Sequence, residues 1–477
     1  MIKYFFLFLL VVSAISCTST GGAAKNNEQK YTFRSLDSLK GASVSGYVED
    51  MKTGEVLLSE NAGLRMTPAS LSKIFTTSAA LGLLGPDFTY QTVIAKNGEV
   101  RNGRLYGNIV VVGGGDPTLA SKYFTSGKDE LFAGILNFIK KAGITSVSGK
   151  LIVVSSYFAP PAYPSLRLWE DMSNYYGAPP SSLTFMDNTF KVYLSSPAKT
   201  GELCKVTEIK PDVGVKLDCR VVSAPGKKDS AYIYGFPGLH DWYIDGSIPA
   251  GRKRFPVKGA MPFPEKVFAR MLSDYLKRKG MNIKGFTVRY SPLNVNVEKL
   301  GVIYSPPLKE IIKVVNKRSV NLFADHLFLT LGKQKGKADW DNARAIFTEF
   351  WNDRIGENDI HFHDGSGLSP FNYFTPVDMA RALKYNAKST TSKEFKASLA
   401  ISGIDGTFKK IWNSDKTRGR VIGKSGYLQG VLGYAGYITT ASGRELAFCI
   451  MVNHFSGKVS RVRDMIEREV ERIITEN

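Results

Sequence analysis

Histidine and cysteine are both scarce in this chain, with five and four residues among 477. No histidine has a visible relation to a Gly-x-Ser-x-Gly turn, so a serine–histidine–carboxylate hydrolase is not supported. No His/Cys cluster has zinc spacing, and His361 and His363 lack a further ligand group, so neither a metal nor another cofactor is called for. There is no internal repeat and no low-complexity tract, which sets aside a repeat array. A long apolar run occurs once, at residues 4–15 behind Lys3. It is too short for a membrane span and reads as the core of a signal peptide over residues 1–16.

What is present points to an exported globular protein. Hydrophobic residues make up 43% and aromatic residues 12%, enough for packed cores. The length allows roughly two or three domains. The formal charge of +20 would suit nucleic acid, an anionic wall polymer or a lipid surface. The basic residues are scattered, however. Their densest clusters, Arg252-Lys253-Arg254 and Lys277-Arg278-Lys279, form no long arm, which favours a solvated basic surface over a nucleic-acid partner.

The apolar leader ends in Ala14-Ile15-Ser16-Cys17. Small residues there fit ordinary signal-peptide cleavage. They equally resemble a bacterial lipobox, with Cys17 lipidated, residues 17–31 as a polar tether and the acyl chains held in a membrane leaflet. Cys204 and Cys219 flank a segment with turn residues, compatible with a hairpin disulfide in an oxidising compartment or with two buried thiols. Cys449, inside an apolar strand, reads as a core thiol.

The chemistry is organised around Thr67-Pro68-Ala69-Ser70-Leu71-Ser72-Lys73. Pro68 suits a first helical turn, and Ile74, Phe75, Leu81 and Leu84 recur at helical spacing. Ser70 and Lys73 then share a face. A hydroxyl becomes a nucleophile when a base takes its proton, and a lysine kept neutral by burial or by neighbouring cations can be that base. A helix N-terminus also favours a developing oxyanion. The pattern alone is weak, since Ser196-Pro197-Ala198-Lys199 repeats it with an internal proline.

Along the chain, residues 46–50 and 55–58 read as a hairpin, and the Ser70 helix ends near Gly85-Pro86. A β-rich region follows over residues 88–291, with strands near 107–112 and 149–154 and a helix near 129–142. Helices return at 307–315 and 339–351. Strands at 431–440 and 446–453 and an amphipathic helix over 460–475 close the chain. This order predicts an α/β (α+β) main domain from residues 32–87 and 292–477, its antiparallel sheet built from both chain ends and flanked by helices. The insertion, residues 88–291, holds one or two subdomains.

Three motifs line up in order: Ser70-x-x-Lys73, Ser319-Val320-Asn321 and Lys424-Ser425-Gly426. Decoys such as Ser59-Glu60-Asn61, Lys52-Thr53-Gly54 and Lys199-Thr200-Gly201 lie in a hairpin or in the insertion. Longer strings accompany the set: Gly113-Gly114-Gly115-Asp116-Pro117-Thr118-Leu119, Tyr176-Gly177-Ala178-Pro179-Pro180-Ser181-Ser182-Leu183, Asp364-Gly365-Ser366-Gly367-Leu368-Ser369 and Lys424-Ser425-Gly426-Tyr427-Leu428-Gln429-Gly430. On these strings nearly the whole mature chain resembles the class C, low-molecular-mass penicillin-binding proteins, the D-alanyl-D-alanine carboxypeptidase/endopeptidase family. It departs from them at Ser425, where threonine is usual, at Val320, and at Pro370, where some relatives carry an arginine near the substrate's side chain.

The resemblance implies a transpeptidase/β-lactamase-like fold and acyl transfer on peptidoglycan peptides, with β-lactams as inhibitors. Ser70 would be the nucleophile and Lys73 its base. Ser319 would relay a proton, Asn321 would hold the peptide amide, and Lys424 would supply a positive field. Ser425, with Lys424, would grip the terminal carboxylate. The backbone N–H groups of Ser70 and Tyr427, beside Gly426, would form the oxyanion hole. Asp171, with Tyr176 and Gln429, would line a pocket for a diaminopimelate side chain, and Asp116 would cap a turn. A β-lactamase-like hydrolase and a non-catalytic wall-binding lipoprotein are the rival readings.

Overall fold

The structure, a computed structural model, describes residues 31–36, 39–236 and 238–477. The expected leader, Cys17 and the tether as far as residue 30 lie outside them. No helix among the described residues is long and apolar enough to cross a membrane.

The main sheet joins the two ends of the chain. Its order is Ala400–Ile401, Val421–Leu428, Val431–Thr439, Glu445–Asn453, Ser43–Asp50 and Val56–Glu60, every pair antiparallel. The junction is the pairing of Ser43–Asp50 with Glu445–Asn453, in register from Ser43 opposite Asn453 to Asp50 opposite Leu446. Alternation explains how both faces are covered. Ala447, Cys449 and Met451 point to one core, with the helices Ser72–Leu84, Leu308–Arg318, Asn321–Leu331 and Trp340–Ile355. Leu446, Phe448, Ile450 and Val452 point to the other, where Val462, Ile466, Val470 and Ile473 of the last helix, Val459–Thr475, meet Tyr31, Phe33 and Leu36. Each fully buried aliphatic side chain there contributes roughly 1.5–3 kcal/mol. The terminal helix therefore locks the beginning of the described chain to its end.

The long excursion holds a second sheet, ordered Phe286–Arg289, Leu151–Val154, Arg104–Val112, Gln91–Arg101 and Glu298–Tyr304. The helices Lys128–Lys141 and Pro264–Arg278 pack on it through Phe132, Ile135, Phe268 and Leu272. Small sheets within residues 189–260 surround their own core of Phe190, Val192, Ile233, Trp242 and Ile244. Because Glu298–Tyr304 pairs with Gln91–Arg101, the second sheet runs past the expected boundary at 291 as far as Tyr304. The helix Pro264–Arg278 was not expected in a strand-and-turn region. Its signals are Pro264 in the first turn and apolar Val267, Phe268, Leu272 and Leu276 at helical spacing.

Of the two readings left open for Cys204 and Cys219, the structure carries the thiols: both are free, as is Cys449. The Cys219 thiol lies 3.5 Å from the Cys204 carbonyl oxygen.

Candidate active site

Ser70 lies in a short 3₁₀ turn, Ala69–Leu71, which feeds the helix Ser72–Leu84. The sequence placed both residues of the pair on one α-helix. Instead a 3₁₀ turn precedes the helix, and Ala69 at its start stands in the left-handed region, at φ 48°, a conformation rare for a residue with a Cβ. The tighter turn still stacks Ser70 over Lys73, and Lys73 Nζ lies 2.8 Å from Ser70 Oγ. Two glycines press on this turn. A Cβ at Gly367, which has φ 76°, would stand 1.8 Å from the Ala69 carbonyl oxygen, and one at Gly426 would stand 2.5 Å from that of Pro68. The glycines of two motifs thus let two backbones close on the nucleophile's turn.

Lys73 is fully buried, and three oxygen atoms surround its amine: Ser70 Oγ, Asn321 Oδ1 at 2.7 Å and the Ser366 carbonyl at 2.5 Å. The last two only accept, so each must receive an N–H. The Asn321 amide is oriented independently, since its Nδ2 donates to the Tyr176 carbonyl at 2.9 Å. In the neutral amine, the lone pair is therefore left facing the Ser70 hydroxyl. Burial is the largest cause holding Lys73 down at about 7; Arg167 acts in the same direction, while Asp325 and Asp364 oppose it.

The second pair sits across from the first. Lys424 Nζ donates to Ser319 Oγ at 2.9 Å and to the Ser425 carbonyl at 2.7 Å. Ser319 ends the helix Leu308–Arg318 in the left-handed region, at φ 56°, and the next helix begins at Asn321. That strained link turns the Ser319 hydroxyl toward the sheet edge while Asn321 faces Lys73. Lys424 is buried, and burial, then Lys73, holds its amine well below the usual lysine range. Two buried amines so placed disfavour carrying a proton each.

The remaining expected residues are placed unevenly. Asp171 and Tyr176 are half-buried, and their side chains lie near enough for each to act on the other's ionisation. Tyr176 reaches the first cluster through its carbonyl on Asn321. Tyr427 is exposed at the end of Val421–Leu428, and Gln429 is exposed in the turn beyond. The Ser425 side chain is half-buried. Asp116 is buried and caps its turn, accepting from the Thr118 N–H at 2.7 Å and hydroxyl at 2.6 Å.

Sequence reasoning missed a buried ionic group beside Lys73. Arg167 Nη2 lies 2.9 Å from both Asp325 Oδ2 and Asp364 Oδ2, and all three side chains have no exposure. Asp325 could have been suspected, since it follows Asn321 by four residues on one helix. Arg167 joins partners 158 and 197 residues away and left no local signal.

A family model described as D-Ala-D-Ala carboxypeptidase 3 (S13) matches residues 30–472. The chain belongs to that family. Members similar to it include the D-alanyl-D-alanine carboxypeptidase DacB of Haemophilus influenzae, 26% identical over 87% of this chain and 86% of that one. The D-alanyl-D-alanine carboxypeptidase of Actinomadura sp. is 29% identical, over 88% and 79%. In structure the chain is similar to penicillin binding protein 4 of H. influenzae, at a TM-score of 0.80 and 23% identity, covering 92% of this chain and 98% of that one. As an S13 enzyme it is a serine-type D-Ala-D-Ala carboxypeptidase, with the penicillin-binding fold that its motifs implied.

Proposed function

We propose that this chain cleaves D-alanyl-D-alanine bonds in peptidoglycan peptides, at chain ends and cross-links, through an acyl-enzyme on Ser70. The observation that carries the reading is the environment of Lys73 Nζ: two obligate acceptors and one hydroxyl, in a fully buried site. Lys73 takes the hydroxyl proton as Ser70 Oγ attacks the carbonyl carbon. Ser319, held by Lys424, passes a proton to the leaving D-alanine amine. Lys424 and the Ser425 hydroxyl receive the terminal carboxylate, whose charge favours a protonated Lys424. The N–H groups of Ser70 and Tyr427 hold the oxyanion. Water then releases the acyl group. Ala400–Ile401 pairs with Gly423 and Ile422, and among the described residues no strand pairs with the edge from Lys424 to Leu428 on that side, where an extended peptide can lie.

Asp171 is the group for a cationic side chain of the substrate, with Tyr176 and Gln429 around it. Residues 32–87 together with the chain beyond Tyr304 form the catalytic domain, and the region between is an insertion. The leader places the protein in the cell envelope, with Cys17 as the lipid anchor. Peptidoglycan and β-lactams are its partners, and nucleic acid is not.

Mass spectrometry after exposure to a labelled penicillin tests the reading. An adduct on Ser70 is expected, absent from Ser70→Ala and slow to leave. No adduct in folded protein would overturn the assignment, and rapid penicillin turnover would make the chain a β-lactamase-like hydrolase.

A further inference from the structure

A guanidinium without exposure is an unusual neighbour for a lysine that must lose its proton. Arg167 belongs to the excursion between the motifs, in the segment just before Asp171. Its Nη2 reaches both carboxylates, while Nε and Nη1 are buried without partners among the described residues. Orphaned donors cost free energy, and a buried ionic group of this kind is often matched in stability by apolar residues. Stability alone is therefore a poor account of the arrangement.

The position of the group supplies a better one. Asp325 lies one helical turn beyond Asn321 on the helix Asn321–Leu331. Asp364 opens the loop whose Ser366 carbonyl holds Lys73. Asp364 is well supplied with donors: the Gly367 N–H at 2.7 Å, the Ser369 N–H at 2.8 Å and Asn372 Nδ2 at 3.0 Å. Against burial, Arg167 first and then these donors keep it below its ordinary range. The segment carrying Arg167 is tied to the same loop, since Ser369 Oγ donates to the Leu166 carbonyl at 3.0 Å. The groups facing Lys73 are thus Ser70 on its own turn, Asn321 and Asp325 on one helix, Asp364 and the Ser366 carbonyl on the loop, Arg167 from the insertion and Lys424 from the sheet edge. Burial raises the Asp325 carboxyl to about 6 even with Arg167 beside it, so above that pH, with both carboxylates ionised, the ionic group has a net charge of −1 with Arg167 and −2 without it. A buried amine beside two uncompensated carboxylates keeps its proton.

We propose that Arg167 is a positioning residue that frees Lys73 to act as base, by holding Asp325 and Asp364 so that neither captures Lys73 as an ammonium partner. The inference rests on the acyl-transfer reading given above. It adds that the insertion supplies a charge the catalytic cluster needs.

The test is the second-order rate of Ser70 acylation by a fluorescent penicillin, measured on the full chain from about pH 5 to about pH 9. The wild type is expected to lose rate below about pH 7 as Lys73 gains its proton. In Arg167→Gln that acid limb should move up by about one pH unit, roughly a tenfold loss at a pH below both limbs. Adding Asp325→Asn removes the uncompensated charge and should bring the limb back, and Arg167→Lys should keep it near the wild-type position. Folded Arg167→Gln with an unmoved limb, or with equal loss at every pH, overturns the proposal. So does a displaced limb that Asp325→Asn fails to restore. Should Arg167→Gln not fold, Asp325→Asn alone must move the limb below that of the wild type, and an unmoved limb there is equally fatal. A wild type that forms no Ser70 adduct would sink the acyl-transfer reading itself, an outcome distinct from an adduct whose pH limb ignores Arg167.

Discussion

Asn321 and Tyr176 join the motif helix to the β-rich excursion at the reacting group: Asn321 Nδ2 donates to the Tyr176 carbonyl at 2.9 Å. The same amide presents Oδ1 to Lys73 at 2.7 Å. One side chain thus fixes the Lys73 amine and is itself fixed by a residue 145 positions earlier.

Asn321→Ala should therefore damage chemistry more than folding. The Lys73 amine loses an obligate acceptor and can rotate its lone pair away from Ser70. A fall of about 100-fold in the Ser70 acylation rate is expected, the scale of a misdirected general base. Stopped-flow labelling with a fluorescent penicillin measures it, alongside a thermal melt. A loss of less than about threefold would show that Asn321 does not orient the base.

Gly426→Ala tests the close approach of the sheet edge to the nucleophile's turn. The added methyl would lie 2.5 Å from the Pro68 carbonyl oxygen and 3.1 Å from Leu71. The neighbour is backbone and cannot swing aside, so the Ser70 turn must shift. A displacement of about 1 Å at a reacting group can cost about 100-fold in rate. Gly443→Ala is the control, a left-handed glycine with open space around it, and should leave acylation intact while costing some stability. Equal acylation rates in the two variants would refute the packing argument.

How far the sequence could be read follows from the range of each interaction. The hairpin at Ser43–Asp50 and Val56–Glu60 and the amphipathic helix Val459–Thr475 write their periodicity locally, and both were expected within a few residues. The partnership of Ser70, Lys73, Ser319, Asn321 and Lys424 was legible only because short motifs recur in order. The distances among them come from the fold. Asp364 stood in one of the quoted strings but without a role of its own, and Arg167 had no such signal: a buried arginine looks in sequence like a solvated one, and its partners are distant. The helix Pro264–Arg278 was hidden by the strand-and-turn texture on either side of it.

Asp116 carries a stability prediction with a defined sign. Burial pushes its carboxyl up to about 6, although Thr118 donates to it twice. The folded state therefore binds the proton more tightly than the unfolded chain, where the value is near 3.8. Stability from this group is complete below about pH 4 and is lost as pH rises through about 6, at most about 3 kcal/mol in total. Asp116→Asn cannot titrate. Its melting temperature, relative to the wild type, should climb between about pH 4 and about pH 7 and then level off. A flat difference across that window would contradict the buried, unpaired carboxylate.

Asp171 tests substrate choice. Its carboxylate is half-buried beside the Tyr176 side chain, and the Tyr176 carbonyl leads to Asn321 and so to Lys73. Burial is the main cause that lifts its carboxyl above the ordinary range, which the arrival of a cation would reverse. The group thus gains most from a ligand that brings a positive charge. Two peptides ending in D-Ala-D-Ala, alike except for an amine or a methyl on the preceding side chain, separate this role from general damage. Asp171→Ala should lower kcat/KM for the amine peptide by about tenfold or more and leave the methyl peptide within about twofold. If both peptides slow equally, Asp171 only holds Tyr176 in place. If neither slows, the cationic side chain is read elsewhere.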